Sequence, residues 1–123
     1  MATRRPNIYG GFPARYGLPA VRAALRSLFR EDELRIQSDP DGRETLIVQT
    51  RSAFFHTLHM EEEGNYLFDG GVEGPLDQVI AFAKAISNAL DHAQIEHNLH
   101  VVDGPMSYVA SFPEWRFPRE AEG

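Results

Sequence analysis

The chain has 123 residues, no cysteine, 42% apolar and 24% charged residues and a net charge of −6. These figures describe one ordinary globular domain and exclude disulfides, thiolate metal sites and thiol nucleophiles. No apolar stretch reaches the roughly 18–20 residues of a membrane span, and the basic start, broken by Pro13 and Arg15, does not read as a signal peptide. A cytoplasmic protein with no membrane partner is expected. Lys84 is the only lysine against eleven arginines, a bias of GC-rich coding sequence that points to a bacterial or phage origin. The charge is sharply divided. Arg4, Arg5, Arg15, Arg22, Arg26 and Arg30 stand in residues 1–30 with no carboxylate, a local +6, against −12 for residues 31–123.

In residues 1–17, Pro6, Gly10, Gly11, Pro13 and Gly17 interrupt Ile8, Tyr9, Phe12 and Tyr16. Such punctuation predicts an irregular basic and aromatic arm that packs on something without regular structure. Pro19 suits a first helical turn, and Ala20–Arg30 predicts a helix. Val21, Leu25, Leu28 and Phe29 mark its buried stripe, while Arg22, Arg26 and Arg30 stack along another face. Glu31, Asp32 and Glu33 end it.

Leu34–Ser38, Glu44–Thr50 and Ala53–Met60 read as strands by alternation and β-branched content, and Tyr66 begins a fourth. Asp39-Pro40-Asp41-Gly42 is the first turn, with proline presetting φ and Gly42 taking a positive one. Gly70, Gly71 and Gly74 predict a flexible connection. Pro75 opens a second helix with a core stripe of Leu76, Val79, Ile80, Ala83, Ile86 and Leu90; Phe82 lies off that stripe and can meet a second neighbour. Ile95–Val102 and Met106–Phe112 are the last two strands, around Asp103-Gly104-Pro105. Residues 113–123 form an aromatic, proline-bounded tail. The predicted order α-β-β-β-β-α-β-β makes residues 1–123 a single α+β domain, with a mostly antiparallel sheet and two helices on one face.

Histidines look most like chemistry. His56 and His59, and His97 and His100, are spaced i, i+3 in predicted strands, where such pairs point to opposite faces. One metal therefore cannot bridge either pair, and the alternative metal site would need His59 beside His100 across strands. No zinc, phosphate-loop, dinucleotide or serine-nucleophile motif is present, and no serine has a partner visible at motif level. No catalytic residue, no cofactor and no enzymatic activity are expected.

Charge supplies the remaining candidates. Glu61, Glu62 and Glu63 occupy a predicted turn and can join Asp69 and Glu73 in an acidic patch. Trp115, between Phe112 and Phe117, can anchor an interface. Arg15, Arg22, Arg26 and Arg30 are the alternative, a surface for a polyanion. In size and order of elements the chain resembles small bacterial adaptor folds, among them toxin-immunity proteins and secretion chaperones, a likeness of fold alone. The expectation is a protein-binding module of the immunity-protein type, whose acidic surface meets a basic partner such as a toxin or nuclease. The alternatives are a nucleic-acid binder, a chaperone-like homodimer and, last, a small histidine-based metalloenzyme.

Overall fold

The computed structural model describes residues 6–60, 63–103 and 108–112. Its chain order is β1 (Asn7–Pro13), α1 (Leu18–Leu25), β2 (Leu34–Ser38), β3 (Glu44–Gln49), β4 (Ala53–Met60), β5 (Asn65–Val72), α2 (Leu76–His92), β6 (Asn98–Val102) and β7 (Tyr108–Phe112). All seven strands form one sheet in the order β2-β3-β4-β5-β1-β6-β7, and every pairing is antiparallel. The α+β architecture and the meander β2–β5 are those the alternation predicts.

The amino-terminal segment departs from expectation. Rather than an irregular arm, residues 7–13 are the strand between β5 and β6, in the middle of the sheet. Ile8, Gly10 and Phe12 face the core, and the glycine lets the β6 backbone approach closely: a Cβ at Gly10 would meet the Asn98 carbonyl. The expected flexible connection at Gly70-Gly71 is likewise part of a strand, β5. Glycine inside a strand marks close approach as well as breakage, and here approach is the reason.

That central position dictates the connections. β5 and β6 both run antiparallel to β1, hence parallel to each other, and parallel strands need a long crossover. α2 supplies it. α1 carries the chain from the middle of the sheet to its β2 edge, and the meander then walks back to β1. Side by side, α1 packs near β2 and β3 while α2 packs near β6 and β7.

Pro19 falls in the first turn of α1, as expected. The helix, however, ends at Leu25 instead of reaching Arg30. The next residues form a turn closed by Leu28 N–H and Phe29 N–H, both donating to the Leu25 carbonyl. The turn buries Phe29 edge-on against Phe82, 5.7 Å between ring centroids, and leaves Leu28 exposed. Phe82 thus has the second neighbour that its position off the stripe implied. Arg30 is already extended, and its N–H donates to the Glu33 carboxylate at 2.8 Å.

α2 buries Val79, Ala83, Ile86 and Leu90 on the predicted stripe, together with Ser87. Its end is a Schellman motif: Gln94 N–H donates to Asp91 O and Ile95 N–H to Leu90 O, while Leu90 and Ile95 are both buried. Gln94 occupies the left-handed position, with φ 62°. A side chain there is disfavoured relative to glycine. Gln94→Gly should therefore raise stability by about 0.5–1 kcal/mol, read as a higher urea midpoint at constant slope.

Candidate functional site

Strand alternation gives the sheet two unlike faces. One carries Ile8, Leu46, Val48, Phe55, Phe68 and Leu99 into the core beneath the helices. No described element packs over the other. On that open face the pairing registers align one residue from each strand into a transverse row: Arg35, Ile47, His56, Asp69, Tyr9, His100 and Ser111. Phe54, Leu58, Leu67 and Val109 stand on the same face and are 40–56% exposed. They are four of the five large apolar side chains exposed among the described residues, the fifth being Leu28. Of these, Leu58 and Leu67 are cross-strand partners, Phe54 lies further along β4 beyond His56, and Val109 is on the edge strand β7.

Two glycines hollow this face. Over Gly11, between Leu67 of β5 and Asn98 of β6, lies a groove of about 460 Å3 bordered by Tyr9, Asn65, His100, Glu63 and Glu96. Over Gly71 lies a depression of about 330 Å3 bordered by Phe54, His56, Asp69, Arg51 and Glu73. Tyr9 and Asp69, paired across β1 and β5, form the ridge between the two.

His100 is half-buried in this row. Its Nδ1 lies 2.8 Å from Ser111 Oγ and its ring 5.5 Å from that of Tyr9. Burial disfavours the cation and holds its pKa below the ordinary 6.5. With the folded pKa depressed, the unfolded chain binds more protons as pH falls through 6.5, so His100 makes stability drop with falling pH in that window. Urea unfolding at pH 7 and pH 5 should show a smaller loss for His100→Gln than for the unmodified chain.

The candidates read from charge are not gathered into one patch. Glu61, Glu62 and Trp115 lie outside the described residues. Glu63 precedes β5, Asp69 is within it on the open face, and Glu73 follows it. An extended span of ten residues puts Glu63 and Glu73 roughly 30 Å apart. The acidic residues therefore border different hollows of one face instead of forming a cluster.

The basic candidates are dispersed too. Arg15 pairs with Glu96 at 3.0 Å. Arg22 donates through Nε to Leu34 O and lies 3.9 Å from Glu31, tying α1 to the edge strand. Arg30 pairs with Asp32 at 3.2 Å. Arg26 caps α1 and Arg30 lies beyond it, so the expected helical ladder of arginines does not form. Internal pairing absorbs much of the charge that the polyanion reading relies on.

His59 stacks on Tyr66, 4.7 Å between centroids, and Tyr66 packs on Phe12 of the core face. His100 belongs to the open face, with β5 and β1 intervening between its strand and that of His59. The two cannot share a metal. No group of three or more His, Asp or Glu side chains among the described residues is arranged to hold one.

Two serine–histidine contacts escape motif reading. Besides His100 and Ser111, Ser87 Oγ lies 2.7 Å from His97 Nε2, and His97 Nδ1 lies 2.8 Å from Ile95 O. A carbonyl only accepts, so Nδ1 carries the hydrogen, and in the neutral ring Nε2 accepts from the Ser87 hydroxyl. The distances are those of a nucleophile, base and orienting group. Yet Ser87 is only 1% exposed, which leaves a substrate no approach, and the contact fastens α2 to the segment entering β6. Partners ten and eleven residues apart, brought together by a crossover and a strand pairing, have no sequence signature.

The fold defines an α+β protein with helices on one side of an antiparallel sheet and, on the other, a face that mixes exposed apolar with polar and charged side chains. Compared with protein-family models and with curated proteins, the chain finds no match. No helix among the described residues is long and apolar enough to cross a membrane.

Proposed function

We propose that this chain is a protein-binding module, a bacterial or phage-encoded inhibitor of the immunity-protein type, which docks a basic partner protein on the open face of its sheet. The observation that carries the reading is the gathering of Phe54, Leu58, Leu67 and Val109 on that one face. Apolar side chains supply desolvated contact. The carboxylates Asp69, Glu63 and Glu73, in a chain of net charge −6, supply attraction to a basic surface and speed its encounter. A nuclease toxin, itself shaped to meet a polyanion, is the kind of partner this chemistry fits.

Affinity capture with the full chain from a nuclease-treated bacterial lysate tests it. A stoichiometric basic protein should be retained, and association with it should slow at least about tenfold between 50 and 500 mM salt. Phe54→Asp combined with Leu58→Asp, at solvent-exposed positions of β4, should abolish capture without lowering the melting temperature. Undiminished capture by that variant, or an association rate indifferent to salt, overturns the proposal.

A further inference from the structure

The groove over Gly11 has a composition that selects its occupant. Gly11 forms part of the floor in the middle of three strands, where a Cβ would meet the Tyr66 carbonyl oxygen at 2.7 Å, and Leu67 and Tyr9 border the hollow. The Glu63 carboxylate and the Asn65 and Asn98 carboxamides also line it, and none of these three side chains has a hydrogen-bond or ion-pair partner among the described residues. Among the described residues no lysine or arginine borders the groove. At its rim Glu96 is already engaged by Arg15, so among the described residues Glu63 is the bordering carboxylate without an ion pair.

An anion entering here would face Glu63, and Arg15 is already paired with Glu96 at the rim. A neutral group could satisfy the amides but would leave the carboxylate unpaired. A guanidinium answers all of these features: it is planar, cationic and carries five N–H donors in a fixed fork, and it lies flat against apolar and aromatic walls. Its aliphatic stem can also cover an exposed leucine.

We propose that the Gly11 groove is the binding site for an arginine side chain of the partner protein. Glu63 and the side-chain oxygens of Asn65 and Asn98 accept its N–H groups, and its stem lies along Leu67. This inference rests on the docking of a basic partner on the open face and names the residue that the partner inserts.

The probe is N-acetyl-arginine amide, titrated into the 15N-labelled full chain, with the neutral isostere N-acetyl-citrulline amide alongside. Saturable amide shifts are expected at Gly11, Leu67 and Asn98. The citrulline probe should bind at least about threefold more weakly, and Glu63→Gln, in an exposed turn, should weaken the arginine probe by about the same factor. Absence of saturable shifts at these residues, shifts centred elsewhere, or an equal response to both probes overturns the site. Capture of a basic protein that is lost in the Phe54/Leu58 variant but unaffected by Glu63→Gln also overturns it, while leaving the docking face standing.

Discussion

Phe55→Ala should destabilise the protein by about 3–5 kcal/mol, the cost of removing a buried aromatic ring and leaving the cavity it filled. Phe55 is fully buried on β4. Its ring stacks on Phe68 of β5 at 5.0 Å and on Phe82 of α2 at 5.8 Å, and Phe82 in turn meets Phe29 beyond α1. One truncation therefore loosens two neighbouring strands, the crossover helix and the turn that ends the first helix. Urea denaturation measures the loss. Phe55→Leu, which keeps much of the volume, should lose clearly less, and a double-mutant cycle of Phe55→Ala with Phe29→Ala should be non-additive because both contact Phe82. A loss below about 1 kcal/mol for Phe55→Ala would contradict this core.

Gly70→Ala should cost at least the upper end of the roughly 1–3 kcal/mol typical of overpacking, while Gly71→Ala next to it should stay within about 0.5 kcal/mol of the unmodified chain. The added methyl at Gly70 points into the core-side pleat. There it would collide with the Phe54 carbonyl oxygen and lie 2.7 Å from Phe55 Cα, backbone atoms that cannot yield without opening the β4–β5 ladder. At Gly71 the methyl points to the open face, and its nearest neighbour is Asn7 Oδ1 at 3.5 Å, an ordinary contact. Thermal melts of the two variants settle the comparison, and equal behaviour would contradict the close approach of β4 to β5. Gly10→Ala should behave like Gly70→Ala, since the β6 backbone blocks it in the same way.

These glycine pairs also show where the reading from residues ran out. Gly10-Gly11 and Gly70-Gly71 break local patterns, and by local rules they are loops. Within the sheet they are interior strand residues whose missing side chains serve two ends. Gly10, Gly11 and Gly70 let neighbouring backbones close in, and Gly11 and Gly71 also line the hollows of the open face. β1 was illegible for a related reason: a strand punctuated by Pro6, Gly10, Gly11 and Pro13 gains its order from β5 and β6, both distant in sequence. The end of α1 was likewise decided by a contact between Phe29 and Phe82, outside any window of helical periodicity.

The candidate site was legible only as ingredients. Asp69 and Glu63 are residues that charge alone singled out, and both border the hollows of the open face. Their arrangement along β5, instead of in a patch, depends on that strand running through Gly70 and Gly71 to Val72. Asn65 and Asn98 were not selected, because a lone amide has no spacing signature. The exposed leucines and Phe54 alternate with core residues and so read as ordinary strand positions.

By itself the sequence determined what short-range physics controls: the α2 stripe, the β2–β5 meander, the Asp39–Gly42 turn and an α+β fold. Each follows from periodicities of 3.6 or 2 residues, or from φ preferences within four residues. Tertiary structure alone decided that β1 lies at the centre of the sheet, that arginines pair with nearby acids instead of lining a helix, and that Ser87 meets His97 and Ser111 meets His100. It also decided that one sheet face lies beneath the helices while no described element packs over the other. Those outcomes depend on which distant strands pair, and pairing is settled by burial and backbone hydrogen bonding summed over the whole sheet.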